Sequence, residues 1–263
     1  MKQLIYTTFL PKNKEYEELI FEWLISLRFL AKYEGEVVVF DYGMLESLVK
    51  QIKKFDVSVV KVQGRSSEHI SNARNIDTIP TLKKYQNYVM AHYDADVWFQ
   101  KSLDPMFEYA SNLDGLYFAT EYRRSCRYRG PGGVDHERNE KTQELLNGFV
   151  FGGWQAGKSS PYIDKLEKMK TLFETTWDIT EWGSDQSMLN SIYDFDKDDA
   201  SGLRHACTYY FCDIINDMVC YENTPVTAVH LTGFNKMGFD GQQEIEKYRF
   251  KNLHKKFWQC HHR

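Results

Sequence analysis

The chain has 263 residues, 42% hydrophobic and 27% charged, which is enough for one large domain with a sizeable core. Lys and Arg number 33 against 37 Asp and Glu, so the net charge of −4 argues against a surface built to bind nucleic acid. Five irregularly spaced Cys exclude a disulfide framework and predict reduced thiols.

The N-terminal part of the chain alternates between strand and helix patterns. An apolar run at residues 4–9 predicts a first strand, and apolar residues at intervals of three and four over 16–31 predict an amphipathic helix. Further strands are predicted at 37–40 and 57–62, with a helix at 45–52 between them. This alternation is typical of a parallel sheet with crossover helices.

The elements that follow are less regular. A helical segment at 70–84, broken before Pro80, precedes a fourth apolar strand at 88–93. Later strands are predicted at 116–120 and 149–151. Because no linker rich in Pro, Gly or Ser divides the chain, one compact domain is favoured over two.

Three Asp-x-Asp patterns occur, and their context separates them. Asp94 and Asp96 directly follow the fourth strand, at the carboxyl end where open α/β sheets bind ligands. Their oxygens suit Mg²⁺ or Mn²⁺, which complete their coordination with substrate phosphates. The alternative is a turn that only caps a following helix. The other patterns, formed by Asp194, Asp196 and Asp198, fall in a polar run and predict a solvated loop.

Two later segments carry further candidates. His230 and Lys236 flank Gly233 after a short apolar strand, and an imidazole suits Mn²⁺ while a Lys neutralises phosphate. A lone His in such a place is otherwise a core residue. Between these segments and the fourth strand, Ser184 or Asp185 is placed to cap a predicted helix.

Taken in order, these residues resemble the motifs of GT-A fold glycosyltransferases, and most closely those of glycosyltransferase family 8. The motifs are Asp94-x-Asp96, Asn147-Gly148, Asp185-Gln186-x-x-Leu189-Asn190 and His230-x-x-Gly233-x-x-Lys236. The resemblance covers about residues 1–240 and implies an α/β fold, a single GT-A domain with a Rossmann-like, mostly parallel central sheet flanked by helices. Residues 241–263 then form a basic, aromatic C-terminal extension.

The resemblance also implies an activity. It implies metal-dependent transfer of a hexose from a nucleotide diphosphate sugar, UDP-glucose or UDP-galactose, to a hydroxyl of a glycan or lipid-linked glycan, with retention of anomeric configuration. Asp94, Asp96 and His230 would bind Mn²⁺ or Mg²⁺. The other implied contacts to the donor are Lys236 of the Gly233 motif at the phosphates, Asn147, Asp185 and Gln186 at the sugar, Thr7, Thr8 and Asp41 at the base and ribose, and Lys83 or Arg74 from the segment before the fourth strand.

Three alternatives stay open. An inverting glycosyltransferase needs a carboxylate base, for which Asp185 and Glu121 are the candidates. A metal-dependent nucleotide-sugar hydrolase would use the same metal to activate water. A non-catalytic module that binds a sugar nucleotide is the third, because a fold does not guarantee an activity.

Basic charge is concentrated in two segments. Four Arg at 123–129 beside a Gly-rich run form either a solvated hinge or a lid over the donor phosphates. The basic, aromatic residues at 247–263 form either an ordinary charged helix or a contact with an anionic membrane.

The longest apolar stretch, 19–31, is interrupted by Glu22 and Arg28, and no signal peptide is recognised. The sequence therefore predicts a soluble, cytoplasmic protein, with peripheral membrane contact left open.

Overall fold

The architecture is a central sheet with helices on both faces. A computed structural model describes residues 1–11, 14–62, 75–121, 141–142, 144–146, 148–175, 184–208 and 212–231. The helices are α1 (Lys14–Ile25, continued by a π-helix at Ser26–Leu30), α2 (Glu46–Ile52), α3 (Ile79–Leu82), α4 (Asp104–Asn112), α5 (Ser159–Thr175) and α6 (Ser184–Ser191), with 3-10 turns at Lys53–Phe55 and Gly202–Arg204. The strands are β1 (Lys2–Phe9), β2 (Glu36–Asp41), β3 (Ser58–Lys61), β4 (Tyr88–Tyr93), β5 (Val97–Phe99), β6 (Leu116–Glu121), β7 (Phe149–Lys158), β8 (Ala206–Thr208), β9 (Asp213–Ile215), β10 (Met218–Tyr221), β11 (Thr224–Pro225) and β12 (Ala228–His230).

The six-stranded main sheet has the order β3-β2-β1-β4-β7-β6. Its first four strands run parallel, whereas β7 is antiparallel to both β4 and β6. The predicted mostly parallel sheet is confirmed, as are the strands expected around 4–9, 37–40, 57–62 and 88–93 and the helices expected over 16–31 and 45–52.

Strand β1 shows why the strands of the main sheet appear in the sequence as continuous apolar runs. Leu4 and Tyr6 lie in the hydrophobic core beneath α3, α5 and α6, while Ile5 and Phe9 lie in the core beneath α1, α2 and α4. Because successive side chains point to opposite faces, a strand covered by helices on both sides needs apolar residues at nearly every position.

Two elements differ from their predicted extent. Strand β7 runs to Lys158, far beyond the predicted 149–151. Its Gly157 packs closely against β6, since a Cβ there would lie 2.4 Å from Leu116 Cδ2 and 3.2 Å from the Gly115 carbonyl oxygen. The helix predicted at 70–84 is interrupted at Thr78, as expected before Pro80, and the proline occupies the first turn of α3, where no N–H is needed. Its first part, 70–74, lies outside the described residues.

The prediction of a solvated loop at 194–199 is wrong at Asp198. This residue is buried, and its carboxylate pairs with the Lys165 ammonium. It also accepts the backbone N–H groups of Leu116 (2.8 Å) and Asp194 (2.9 Å). Asp196 is exposed, as expected. The buried carboxylate exists because this loop covers the edge of β6 and binds its backbone.

A second, three-stranded sheet has the order β5-β12-β8, and a small meander of β9, β10 and β11 packs beside it. Strand β12 runs antiparallel to β5 and parallel to β8. Of these short strands, the sequence indicated only the one that ends at His230. The pairing of β5 with β12 is what joins the end of β4 to the C-terminal part of the described chain.

Several predictions fall outside the residues described. They concern Arg74, Asn147, Gly233, Lys236, the Arg-rich segment 123–129 and the basic segment 247–263. The proposed boundary between 1–240 and 241–263 also lies beyond the last described residue, so it stays a prediction. Within the described ranges, no helix is both long and apolar enough to cross a bilayer.

Candidate active site

Asp94, Asp96 and His230 form a cluster at the carboxyl end of β4. One ligand atom from each lies within 4.8 Å of the others. The His230 Nε2 atom is 3.2 Å from Asp96 Oδ1 and 3.7 Å from Asp94 Oδ2. The imidazole is buried, and the carboxylates are partly exposed. Folding therefore brings together the three residues predicted to bind a metal.

Backbone pairing builds this cluster. The N–H of Asp94 donates to the Gly153 carbonyl (2.8 Å), and the Val97 N–H donates to the Asp94 carbonyl (3.1 Å), which closes a turn between β4 and β5. His230 lies opposite Val97 in the β5–β12 pair, and the Leu231 N–H donates to the Asp96 carbonyl (2.9 Å). The pairing thus fixes His230 beside the acidic turn.

Side chains lock both strands in place. The Ser26 hydroxyl, in the π-helix that continues α1, accepts the Phe99 N–H at 3.2 Å. The Gln100 amide donates to the carbonyls of Val219 and Val226, both at 3.0 Å, and its oxygen accepts the Val219 N–H at 2.9 Å. Gln100 thus bonds to β10 and to Val226, two residues before the strand that carries His230.

His205 links the two strands that lead to the cluster, β4 and β12. Its Nε2 atom is hydrogen-bonded to the Tyr93 hydroxyl at 2.8 Å, and its backbone carbonyl accepts the Ala228 N–H at 2.8 Å. One residue thus connects the last residue of β4 with the first of β12. Burial lowers the pKa of His205 from 6.5 to about 3, with a smaller contribution from Lys101, so the imidazole is neutral in the folded protein.

The depressed pKa of His205 makes folding stability depend on pH. In the unfolded chain His205 takes up a proton below its usual pKa of 6.5, whereas in the folded protein it does so only near 3. Stability should therefore fall as the pH drops below 6.5, by up to about 1.4 kcal/mol per pH unit from this residue. Urea unfolding from pH 7 to pH 4 should show a shallower loss in His205→Gln than in the parent. Identical slopes would contradict this assignment.

The donor set fits a divalent cation. Two carboxylates and one imidazole combine hard oxygen ligands with a nitrogen ligand, a set that suits Mn²⁺ and is compatible with Mg²⁺. A cation would also offset the cost of holding Asp94 and Asp96 together in a partly buried turn. The alternative in which Asp94 only caps a helix does not hold, because strand β5 follows the turn.

Comparison with solved structures identifies the fold. The apo bifunctional glycosyltransferase WbbM superposes with a TM-score of 0.62 at 10% identity, over 97% of this chain and 51% of WbbM. The galactosyltransferase LgtC, solved with donor and acceptor sugar analogues, gives 0.58 at 15% identity, over 95% of this chain and 96% of LgtC. The apo form of GlyE from Streptococcus pneumoniae TIGR4 gives 0.59 at 15% identity, over 99% and 64%. The chain has the GT-A fold of glycosyltransferases.

At these identities the likeness concerns the fold. The chain spans about half the length of WbbM and 64% of that of GlyE, so the activities of those longer proteins are not carried over. No protein-family model matches the sequence, and no curated protein matches it.

Of the residues predicted to hold the base and ribose, Thr7 and Thr8 lie on β1, the strand next to β4. Tyr6 of β1 pairs with His92 of β4 in parallel register, so Thr8 is level with Asp94 on the next strand. Thr7 and Thr8 are buried, and neither hydroxyl has a hydrogen-bond partner among the described residues. Both residues thus lie near the carboxyl end of β1, with their side chains on opposite faces of the sheet.

The predicted ribose contact, Asp41, has a structural role at the end of β2. Its Oδ1 atom accepts the backbone N–H groups of Gly43 (2.7 Å) and Met44 (2.6 Å), which closes the turn after β2. Such local hydrogen bonding is the ordinary behaviour of an Asp after a strand. One oxygen of Asp41 is therefore committed to the turn.

Helix α6 carries the predicted sugar contacts Asp185 and Gln186 at its first turn. The Asn190 side chain anchors this helix, since its oxygen accepts the Val150 N–H of β7 (3.1 Å) and its amide donates to the Gln186 carbonyl (2.8 Å). The last turn of α6 is thus held against the start of β7, close in sequence to Asn147. The side chain of Asp185 lies outside the described part of the structure.

Two further predicted site residues, Lys83 and Glu121, lie on elements other than the turn between β4 and β5. The Lys83 ammonium is 2.6 Å from Glu167 Oε1 of α5 and is about half exposed. Glu121 ends β6, the edge strand of the main sheet, opposite Phe149. Only its backbone is described, so its candidacy as a base in an inverting reaction stays a prediction.

Sequence reasoning missed one residue next to the cluster. His92 is fully buried in β4, and its Nε2 atom lies 3.7 Å from Asp94 Oδ1. The sequence did indicate that His92 faces the same way as Asp94, because side chains two residues apart on a strand share a face. A histidine inside an otherwise apolar strand, two residues before Asp94, therefore had to face the same way as that carboxylate.

Proposed function

We propose that the chain is a metal-dependent glycosyltransferase, related to family 8, that moves a hexose from a nucleotide diphosphate sugar to a glycan hydroxyl. UDP-glucose and UDP-galactose are the proposed donors. The cluster of Asp94, Asp96 and His230 carries this proposal, because it lies at the carboxyl end of a central strand in a GT-A fold. That is where open α/β sheets bind nucleotides.

The proposed transfer requires mainly stabilisation of the charge on the leaving diphosphate. A Mn²⁺ or Mg²⁺ ion held by the cluster would supply positive charge to the leaving diphosphate, and Lys236 would add a second cation. The hydroxyls of Thr7 and Thr8 offer hydrogen bonds to the base or ribose from the neighbouring strand. Asn147, Asp185 and Gln186 are the proposed contacts to the donor sugar.

Retention is the proposed stereochemical course. A retaining transfer needs no carboxylate base opposite the leaving group, whereas inversion would need Asp185 or Glu121 in that role. The proton NMR coupling constant of the newly formed anomeric centre distinguishes the two outcomes. An inverted product that is lost in Asp185→Asn or Glu121→Gln would identify the base.

The proposed acceptor is a glycan or a lipid-linked glycan. LgtC, which covers 95% of this chain, was solved with donor and acceptor sugar analogues, and this supports a sugar acceptor here. A cytoplasmic location with peripheral membrane contact through residues 247–263 belongs to the same proposal. Faster transfer to an acceptor in anionic vesicles than in neutral ones would support that contact.

The decisive experiment measures UDP release from UDP-glucose and UDP-galactose by the full chain with Mn²⁺, with and without sugar acceptors. We expect release that depends on the acceptor, stops in EDTA and returns with added Mn²⁺. Release that ignores the acceptor would instead identify a nucleotide-sugar hydrolase. Tight donor binding without turnover would identify a binding module.

A further inference from the structure

We infer that His92 is a positioning residue that orients the Asp94 carboxylate for metal binding. The inference rests on the proposed metal site and assigns a role to a residue outside the cluster itself. Its basis is that the carboxylate lies between two buried imidazoles, one on β4 and one on β12.

The two oxygens of Asp94 face different histidines. Oδ1 lies 3.7 Å from His92 Nε2, and Oδ2 lies 3.7 Å from His230 Nε2. Asp96 Oδ1, 3.2 Å from His230 Nε2, lies on the same side as Asp94 Oδ2. Oδ2 is therefore the oxygen directed to the metal side of the cluster, and Oδ1 is the one that His92 can hold.

The imidazole of His92 is itself rigidly placed. Its backbone is paired on both sides, with Tyr6 in β1 and Gln155 in β7. Its ring packs against the Tyr6 ring at a centroid distance of 5.0 Å, and the Tyr6 hydroxyl lies 3.1 Å from that of Tyr162 on α5. A central strand and a packed aromatic cluster thus leave His92 little freedom to turn away from Asp94.

A protonated Nε2 held 3.7 Å from Oδ1, beyond direct hydrogen-bond length, attracts the carboxylate electrostatically and so limits its rotation before the metal arrives. It also directs Oδ2 rather than Oδ1 to the ion. Ligating carboxylates are commonly held in this way, and loss of such a partner typically costs about 10–100-fold in metal affinity. A neutral imidazole is sufficient, because only its N–H is used.

The test compares Mn²⁺ affinity, measured by electron paramagnetic resonance of free Mn²⁺, in the parent and in three variants of the full chain. His92→Gln places an amide N–H near the former Nε2 position, so its dissociation constant should stay within about threefold of the parent value. His92→Asn is too short to reach Oδ1, and His92→Phe has no donor. Both should bind Mn²⁺ about 10–100-fold more weakly.

Tyr193→Phe is the matched control, since it removes a buried hydroxyl from the same hydrophobic core, one that donates to the Asp198 carbonyl at 3.1 Å and not to His92 or Asp94. Its Mn²⁺ affinity should equal that of the parent. Melting curves in EDTA check that each variant folds. If His92→Phe does not fold, the comparison of His92→Gln with His92→Asn decides.

Equal Mn²⁺ affinity in His92→Asn and His92→Gln would overturn the inference, as would parent-like affinity in His92→Phe. Two imidazole nitrogens in the electron spin echo modulation of bound Mn²⁺ would also overturn it, because His92 would then be a ligand. Failure of the parent to bind Mn²⁺ is a separate result, which would remove the proposed metal site together with this inference.

Discussion

Asp94→Asn is expected to abolish Mn²⁺ binding at the cluster and to lower kcat/KM for donor turnover by about a thousandfold. The substitution keeps the size and shape of the side chain but removes the charge from the residue that faces both His92 and His230. Loss of electrostatic stabilisation of a developing charge commonly costs about 10²–10³-fold in rate, and here the donor also loses its cation. UDP release under steady-state conditions and Mn²⁺ titration measure the two effects separately.

Asp196→Asn is the matched control for this prediction. Asp196 belongs to another Asp-x-Asp pattern of the same chain, but its side chain is exposed on a loop. Its turnover and Mn²⁺ affinity should stay within about twofold of the parent values, because exposed charges outside a site contribute little. Parent-like turnover in Asp94→Asn, or an equal loss in both variants, would remove the metal cluster from the proposed mechanism.

The strands of the main sheet could be predicted because the sequence patterns that indicate them are local. Strands such as β2 and β4 are buried on both faces and therefore read as short apolar runs, while α1 shows the helical spacing. Of the short strands of the second sheet, only β12 carries such a signal. Strand β5 exists because Val97 meets His230 across the sheet, a pairing of segments far apart in the chain.

The site was predictable where spacing and context coincide, as at Asp94 and Asp96. His230 was found through its place in an ordered set of motifs. The roles of His92 and Asn190 were missed because each acts on a partner that only the tertiary structure supplies, a neighbouring carboxylate for His92 and the backbone of β7 for Asn190.

At Asp198, the sequence predicted a solvated side chain, but the structure shows a buried one. Its polar neighbours indicated solvent, but Lys165, 33 residues earlier on α5, supplies a buried counter-charge. Composition describes the average environment of a loop and does not reveal one charged pair beneath it.

Lys165→Met should lower the free energy of unfolding by about 3–5 kcal/mol, because it leaves the Asp198 carboxylate buried without its counter-charge. The Ile192 carbonyl, which accepts from the same ammonium at 3.0 Å, would also lose its partner. Burial lowers the pKa of Lys165, and the charge and hydrogen bond of Asp198 oppose that fall, so Asp198 favours the charged ammonium. Equilibrium unfolding in urea at pH 7 measures the loss.

Lys170→Met, on the same helix, separates burial from the mere loss of a lysine. The Lys170 ammonium is 3.8 Å from Glu174 and about half exposed, so its removal should change the free energy of unfolding by less than about 1 kcal/mol. The double variant Lys165→Met/Asp198→Asn should recover part of the stability lost in Lys165→Met. Its buried amide carries no charge and can still accept the Leu116 N–H. Equal losses in Lys165→Met and Lys170→Met would show that the pair does not hold the loop against β6.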